Sequence, residues 1–395
     1  MKRKKTTNCL LRLSEKDNQV LTHKATILNI SKSELLRTGG LSWWDHTIGL
    51  NEKVLRLYAE SGDNEKEFLV NMLTEHYKRV GYPHNFLSSE ILQKEIIKLS
   101  KTKSPLIEDD NLQRNTIGLN IANHFHPHMV KVKCTGNYRT PYEQYEDEHL
   151  LHDSIKRWLS IGKKPSPAGL RRILRTRDGV RSVVNFKPAI SKYIYDTYCP
   201  ISGKTLDPCS GYSGRLSGAI ASNRGIWYHG IDPDGRTAVG NMKCAAFFSK
   251  QYDLMDRKWK FGFRFDLGCA EEIMPTIQDS YDLIFSSPPF FNVEKYSKMP
   301  NQSYIKFPEY NKWLDGFLRV IIKESYRLLK MGGYLILNLK NYKKEPIADD
   351  SIGLAKEFGF VLEKTYKMRL SNLEYNIKKE EKTWHFEPII VFTKD

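Results

Sequence analysis

No stretch of the 395 residues stays apolar for the roughly 20 positions that a membrane-spanning helix needs. Cysteine is sparse. Cys9, Cys134, Cys199, Cys209, Cys244 and Cys269 form no C-x-x-C pair, and no histidine cluster accompanies them. That excludes a zinc site by spacing and argues against a disulfide framework, so reduced structural thiols and no metal are expected. Internal repeats and low-complexity tracts are absent as well. The basic opening Met1-Lys2-Arg3-Lys4-Lys5 is followed by Leu10-Leu11-Arg12-Leu13-Ser14-Glu15-Lys16-Asp17, whose charges break the apolar core a secretory signal requires. A cytoplasmic protein is expected. Acidic side chains are the other shortage: 46 Asp and Glu face 62 Lys and Arg, a formal net charge of +16. Such a surplus favours a polyanionic partner, although a generally basic surface would look the same.

What is present divides into three parts. Residues 1–40 read as strand (Cys9 to Leu13), helix, turn and helix. Ser14 and Ser31 offer N-caps, each with an acid close behind, and Gly39-Gly40 closes the segment. The order resembles a ribbon-helix-helix DNA-binding unit, which implies a homodimer, because two chains must pair their strands to make the ribbon. Plain packing onto the main body is the alternative. Residues 41–180 look mainly helical, with helices expected over 65–78 and 91–99. Their end is dense in base: Lys163, Lys164, Arg171, Arg172, Arg175 and Arg177 are the candidate phosphate contacts. A solvated charged face is the bland reading of the same run.

Residues 181–395 alternate strand and helix. Seven candidate strands lie at 205–207, 227–232, 261–265, 283–286, 334–339, 360–366 and 389–392. This order predicts a doubly wound, Rossmann-like α/β fold with a seven-stranded, mostly parallel sheet, whose ligands sit at the carboxyl ends of the strands. The first strand runs into Asp207-Pro208-Cys209-Ser210-Gly211-Tyr212-Ser213-Gly214, a glycine-containing turn that opens a helix. Glycine lets backbone approach a ligand, and a helix start presents free N–H groups. The second strand ends in Asp232-Pro233, where a carboxylate can accept from a ribose diol. Cys269-Ala270 follows the third strand. Nicotinamide-cofactor sites share these devices.

The fourth strand separates the two possibilities, because it runs straight into Ser287-Pro288-Pro289-Phe290. With the cofactor turn upstream, this half resembles the class I, Rossmann-like methyltransferases, and among them the DNA amino-methyltransferases that act on cytosine N4 or adenine N6. Their signature pairs such a turn with [Asp/Asn/Ser]-Pro-Pro-[Tyr/Phe/Trp]. The resemblance covers Val183 to Asp395. It implies S-adenosylmethionine as cofactor and DNA as partner, with RNA as an alternative. Asn185, Phe186, Pro188, Asp207, Pro208, Cys209, Gly211, Gly214, Asp232, Pro233, Cys269 and Ala270 are the implied cofactor contacts. Ser287, Pro288, Pro289 and Phe290 are the implied catalytic residues. Ser213 departs from the pattern, since the family more often has glycine there.

An exocyclic amino nitrogen is a poor nucleophile, because its lone pair is delocalised into the ring. Ser287 Oγ and the Pro288 carbonyl can each accept one of its hydrogens and turn the lone pair toward a methyl donor. The prolines stiffen the loop. Phe290 offers a stacking face for a base taken out of the duplex, with Phe291 and Tyr296 as further candidates. Serine at the first position tilts the expectation to cytosine N4, with adenine N6 next. An RNA base, a glutamine amide, and a DNA-binding regulator with a degenerate methyltransferase domain are the other readings. The target-recognition surface is expected within residues 1–180.

Overall fold

The computed structural model describes residues 48–134, 136–222, 224–250, 260–342, 344–370 and 385–395. The ribbon-helix-helix-like segment expected at 1–40 lies outside the described residues.

In chain order the strands are β1 (Asn111–Leu112), β2 (Lys133–Cys134), β3 (Lys204–Asp207), β4 (Trp227–Asp232), β5 (Gly262–Leu267), β6 (Tyr281–Ser286), β7 (Glu294–Lys295), β8 (Leu329–Asn338), β9 (Phe360–Arg369) and β10 (Phe386–Lys394). The helices that matter below are α1 (Ile48–Glu60), α2 (Asp63–Val80), α3 (Ser89–Ser100), α4 (Leu119–Phe125), α5 (Pro141–Glu146), α6 (Glu148–Ser160), α7 (Pro167–Thr176), α8 (Pro188–Tyr198), α9 (Gly214–Ala221), α10 (Gly235–Ser249), α11 (Ala270–Ile273), α12 (Ser303–Lys306), α13 (Tyr310–Trp313), α14 (Arg319–Leu328) and α15 (Ile347–Glu357).

The described residues fall into two compact units, one built from 48–84 with 141–180, the other from 85–140 with 181–395. The first is helical. Leu69, Leu73 and Tyr77 of α2, Leu151, Ile155 and Leu159 of α6, and Leu170 and Leu174 of α7 are buried in it. Tyr145 donates its hydroxyl to the Tyr77 carbonyl at 2.9 Å. Ser166 caps α7 by accepting from the Gly169 N–H, and Pro167 follows at the first helical position, where its missing N–H costs nothing.

The second unit is a twisted sheet in the order β1-β9-β10-β8-β6-β3-β4-β5. Every pairing is parallel except those of β10, which runs antiparallel to β8 and β9. This is the Rossmann-like α/β arrangement, with eight strands rather than the expected seven. The additional strand is β1, which pairs Asn111 with Lys367 and Leu112 with Met368. Two residues carry no periodicity, so that strand has no signature in the sequence.

Both faces of the sheet are covered, and the strands show it residue by residue. Side chains alternate across a strand. Leu283 and Phe285 of β6, Ile336 of β8, and Ile389 and Val391 of β10 pack with α8, α9 and α10 on one face. Ile284, Leu335 and Leu337, and Ile390 and Phe392 pack with α14 and α15 on the other. Strands buried on both faces read as unbroken apolar runs, which is why these central strands were legible in the sequence. The parallel strands β3, β4, β6 and β8 end in Asp207, Asp232, Ser286 and Asn338 along one edge. Because β10 is reversed, its first residues reach that same edge.

Among the described residues, no helix is long and apolar enough to cross a membrane.

Candidate active site

The turn after β3 is held from behind. Gly211 and Ser213 both adopt left-handed backbone, with φ of 56° and 59°. Glycine does so without cost; serine does not, which supplies a physical reason for glycine at that place in the resembling family. Here the serine hydroxyl is fixed twice. It donates to Asn241 Oδ1 at 2.6 Å and lies 2.6 Å from His126 Nε2. Asn241 in turn donates to Ser210 Oγ and to the Gly211 carbonyl. Burial, with His128 nearby, pushes His126 down to about 3, so the ring is neutral. Gly214 is needed for another reason: a Cβ there would stand 2.4 Å from the Phe186 carbonyl and 2.5 Å from Asn185 Oδ1. The close approach lets Asn185 donate to the Tyr212 carbonyl at 2.7 Å.

Asp207, expected at the cofactor, is placed elsewhere. It is fully buried, and its carboxylate is taken up by protein donors. Oδ2 accepts from Arg215 Nε at 2.7 Å and from the Tyr228 hydroxyl at 2.7 Å. Oδ1 accepts from Arg215 Nη2 at 3.2 Å and from Ser286 Oγ at 2.8 Å. Burial disfavours the charge on Arg215, but the adjacent Asp207 outweighs it and holds the guanidinium protonated. Ser286 also accepts from the Cys209 N–H. Asp207 thus ties β3 to β4, to β6 and to the turn. Pro188 is likewise buried as the first residue of α8.

In front of the turn lies a cavity of about 410 Å³ along the carboxyl edge of the sheet. Asn185, Phe186, Pro208, Cys209, Gly211, Gly214, Asp232, Pro233, Cys269 and Ala270 line it, and so do Ser287, Pro288, Pro289 and Phe290. Asp207 and Pro188 do not. At one end, Asp232 accepts from the Gly211 N–H and the Asp234 N–H, each at 3.0 Å. Burial pushes its carboxyl up to about 7 against those two bonds. Asn301 donates to the Pro233 carbonyl at 2.9 Å, while its Oδ1 is buried without a partner. Cys269, Glu271 and Glu272 cluster on this side, where Lys306 donates to both glutamates at 2.6 Å. Burial raises the Cys209 thiol well above its ordinary range, so it is no nucleophile.

The loop after β6 forms the middle. Ser287 donates to Asn338 Oδ1 at 3.1 Å, with the Asn338 carbonyl at 3.3 Å. The amide of Asn338 is itself oriented, because its Nδ2 donates to the Pro388 carbonyl at 2.9 Å. The Ser287 proton is therefore committed to Asn338, and its oxygen lone pairs remain for an incoming N–H. Phe291 corrects one expectation. Its φ of 53° turns the side chain under the loop, where it is buried against Tyr310 and Trp313. It stiffens the loop and offers no stacking face. Phe290 does face the cavity, as does Phe317 from a single π-turn, Leu314–Leu318.

Beyond the loop, Lys340 and Glu387 pair at 3.4 Å, and Glu294, Tyr296, Tyr342 and Leu370 also line the cavity. Sequence reasoning gave Asn338, Lys340 and Glu387 no role in the site, although the segment around Glu387, through Ile389, also resembles the DNA amino-methyltransferases. Asn338 had a signal, a polar residue at the carboxyl end of an apolar strand. Glu387 had only that resemblance, since it reaches this edge through the reversal of β10.

The basic run lies in the helical unit. Lys163, Lys164, Arg172 and Arg175 are exposed. Arg171 instead turns inward and donates to the Pro83 carbonyl at 2.9 Å, and Arg177 pairs with Asp153.

The fold is a Rossmann-like α/β sheet, and the cleft lies along its carboxyl edge. Residues 281–395 match the family model described as DNA methylase. That match starts at the first residue of β6 and includes the Ser-Pro-Pro-Phe loop. No curated protein matches the chain in sequence. Among solved structures, TrmN from Thermus thermophilus is 17% identical over 53% of this chain and 49% of its own, with a TM-score of 0.32. This chain thus spans about half the length of that protein. A methyltransferase from Pyrococcus furiosus is 15% identical over 52% and 82%, with a TM-score of 0.32. NSun6 from Pyrococcus horikoshii is 10% identical over 54% and 53%, with a TM-score of 0.36.

The DNA methylase model that matches residues 281–395 implies S-adenosylmethionine as cofactor, and the residues present fit it. Asp232 presents a carboxylate where a diol would donate. The orphaned Asn301 oxygen waits on the same side, and the left-handed Gly211 keeps side-chain bulk out of the turn.

Proposed function

We propose that the chain transfers a methyl group to an exocyclic amino group of a nucleic-acid base, with DNA as substrate and cytosine N4 ahead of adenine N6. The observation that supports it most is that one cavity joins Asp232 and the Gly211 turn to Ser287, whose hydroxyl is locked as an acceptor by Asn338. The family model matching residues 281–395, which include the Ser-Pro-Pro-Phe loop, and the net charge of +16 point the same way.

S-adenosylmethionine, when bound, supplies an electrophilic methyl group on its sulfonium. The protein does the rest. Asp232, the 208–214 turn and the 185–186 segment would hold the cofactor. Ser287 Oγ and the Pro288 carbonyl, to which no protein donor binds among the described residues, would accept the two amino hydrogens and direct the nitrogen lone pair. Positioned groups of this kind need no reorganisation during the reaction. Phe290 would stack on the base, offsetting part of the few kcal/mol that extrusion costs. Lys163, Lys164, Arg172 and Arg175 would contact phosphates.

The test is incubation with labelled cofactor and either duplex DNA or total RNA, followed by mass spectrometry of the nucleosides. N4-methylcytosine or N6-methyladenine in DNA is the expected product. Label in RNA alone overturns the DNA reading. Label in neither overturns base methylation.

A further inference from the structure

The cavity continues past the catalytic loop. Beyond β6, Asn338 of β8, Glu387 of β10, and Lys340 and Leu370 just past the ends of β8 and β9 contribute to its wall. Strands lie about 4.8 Å apart, so this half extends roughly 14 Å, enough for an aromatic base. It faces away from Asp232, across the reacting loop. Its polar groups are therefore on the acceptor's side.

A further polar group, close to Lys340 and Glu387, lines the same cavity. Glu294, on β7, lines the cavity, and the Tyr296 hydroxyl donates to its Oε2. Its other oxygen has no partner among the described residues. We propose that Glu294 reads the acceptor by donating a hydrogen bond from its carboxyl to the ring nitrogen beside the methylated amino group. Cytosine N3 and adenine N1 share that feature. The inference rests on the base-methylation reading above.

The logic is one of hydrogen-bond polarity. A neutral carboxyl carries one O–H donor; an ionised one only accepts. The acid form matches the bare ring nitrogen of cytosine or adenine. The ionised form matches a ring N–H, as in guanine or uracil. Tyr296 occupies Oε2, so the proton sits on Oε1. Burial pushes the Glu294 carboxyl up to about 7; the Tyr296 bond lowers it, Glu387 raises it and Lys340 lowers it. Tyr212 and Cys134 also face it, and both are held neutral by burial. Near neutral pH the acid form is therefore present, which it would not be for an ordinary glutamate.

Substitution separates the forms. In Glu294→Gln, Tyr296 fixes the amide oxygen, which leaves the NH₂ facing the ring as a permanent donor. At saturating cofactor, the wild-type kcat/KM for a cytosine- or adenine-containing duplex should fall about tenfold per pH unit above pH 7. Glu294→Ala should lie roughly ten- to a hundredfold below wild type at pH 6.5. Glu294→Gln should recover most of that loss and flatten the profile. Cofactor Kd, measured by calorimetry, should be the same in all three, which also reports folding. Wild-type kcat/KM in Glu294→Ala overturns the inference. So does a Glu294→Gln that tracks Glu294→Ala, or a cofactor Kd that rises as kcat/KM falls. If the wild type labels no nucleic acid, the base-methylation reading fails and takes this inference with it. If it labels bases and Glu294→Ala matches it, this inference alone fails.

Discussion

Cofactor affinity should weaken as pH falls through 7, and Asp232 should be the cause. Its carboxyl must be ionised to accept from two hydroxyl donors. In the free protein, burial raises its pKa to about 7. Donors that bind the charged form pull the value back down in the complex. The free protein must then release a proton to bind, and the sign follows: affinity is full above pH 7 and lost below it. With a free value of 7, the apparent Kd at pH 6 is about eleven times its plateau, and at pH 5 about a hundred times. The cofactor's α-amino group titrates near 7.7–8.0, so between pH 5 and 7 it stays cationic and adds no slope. Titration calorimetry in one buffer system at pH 5, 6 and 7 reads the effect directly. Asp232→Asn should remove it. That variant loses hydrogen bonds to a charged acceptor, about 1.5–3 kcal/mol, or roughly ten- to a hundredfold in Kd, and should be level across the range. A wild-type Kd that stays constant from pH 5 to 7, or an Asp232→Asn that binds like wild type, would refute the reasoning.

Asn338→Ala should lower kcat by about tenfold or more while cofactor Kd stays put, because it frees the Ser287 proton without touching the cofactor half; a change confined to Kd would show that Asn338 serves the cofactor. Asp207→Ala leaves Arg215 buried and unpaired, which should cost about 3–5 kcal/mol, seen as a lowered Tm; a Tm within about 2 °C of wild type would deny Asp207 its tying role. Arg172→Ala and Arg175→Ala should each reduce the slope of log K against log salt for duplex DNA by about 0.9; unchanged slopes would remove α7 from the DNA contact surface.

The legible parts of this protein were those where local chemistry coincides with the fold. Apolar runs buried on both faces announced β6, β8 and β10, and the Gly211 turn and the Pro288-Pro289 loop stood out because their residue types serve few other purposes. Asp207 misled because an acid at a strand end looks the same whether it faces a ligand or an arginine. Only the arrival of Arg215 and Tyr228, eight and twenty-one residues on, decides. Phe291 misled through its backbone. A left-handed φ at a non-glycine residue sends the side chain opposite to its neighbour, and nothing in Pro-Phe-Phe-Asn signals that.

The acceptor half was illegible for a topological reason. Lys340 and Asn338 follow an apolar strand and might have been named. Glu387 precedes one, and the start of a strand lies at the ligand edge only if that strand runs backwards. The reversal of β10 between β8 and β9 therefore places a charged wall beside the Ser287 loop, carried by a strand that is bonded on both sides. On the proposed reading, a wall of that rigidity would hold a planar base at a fixed distance from the loop. The chemistry then turns on the hydrogen-bond polarity of its neighbours. Asn338 makes Ser287 an acceptor, and Tyr296 leaves Glu294 one atom with which to donate. If both proposals hold, the Ser-Pro-Pro-Phe segment states what is done to the acceptor, and residues outside it, on β7, β8 and β10, decide which acceptor can be presented.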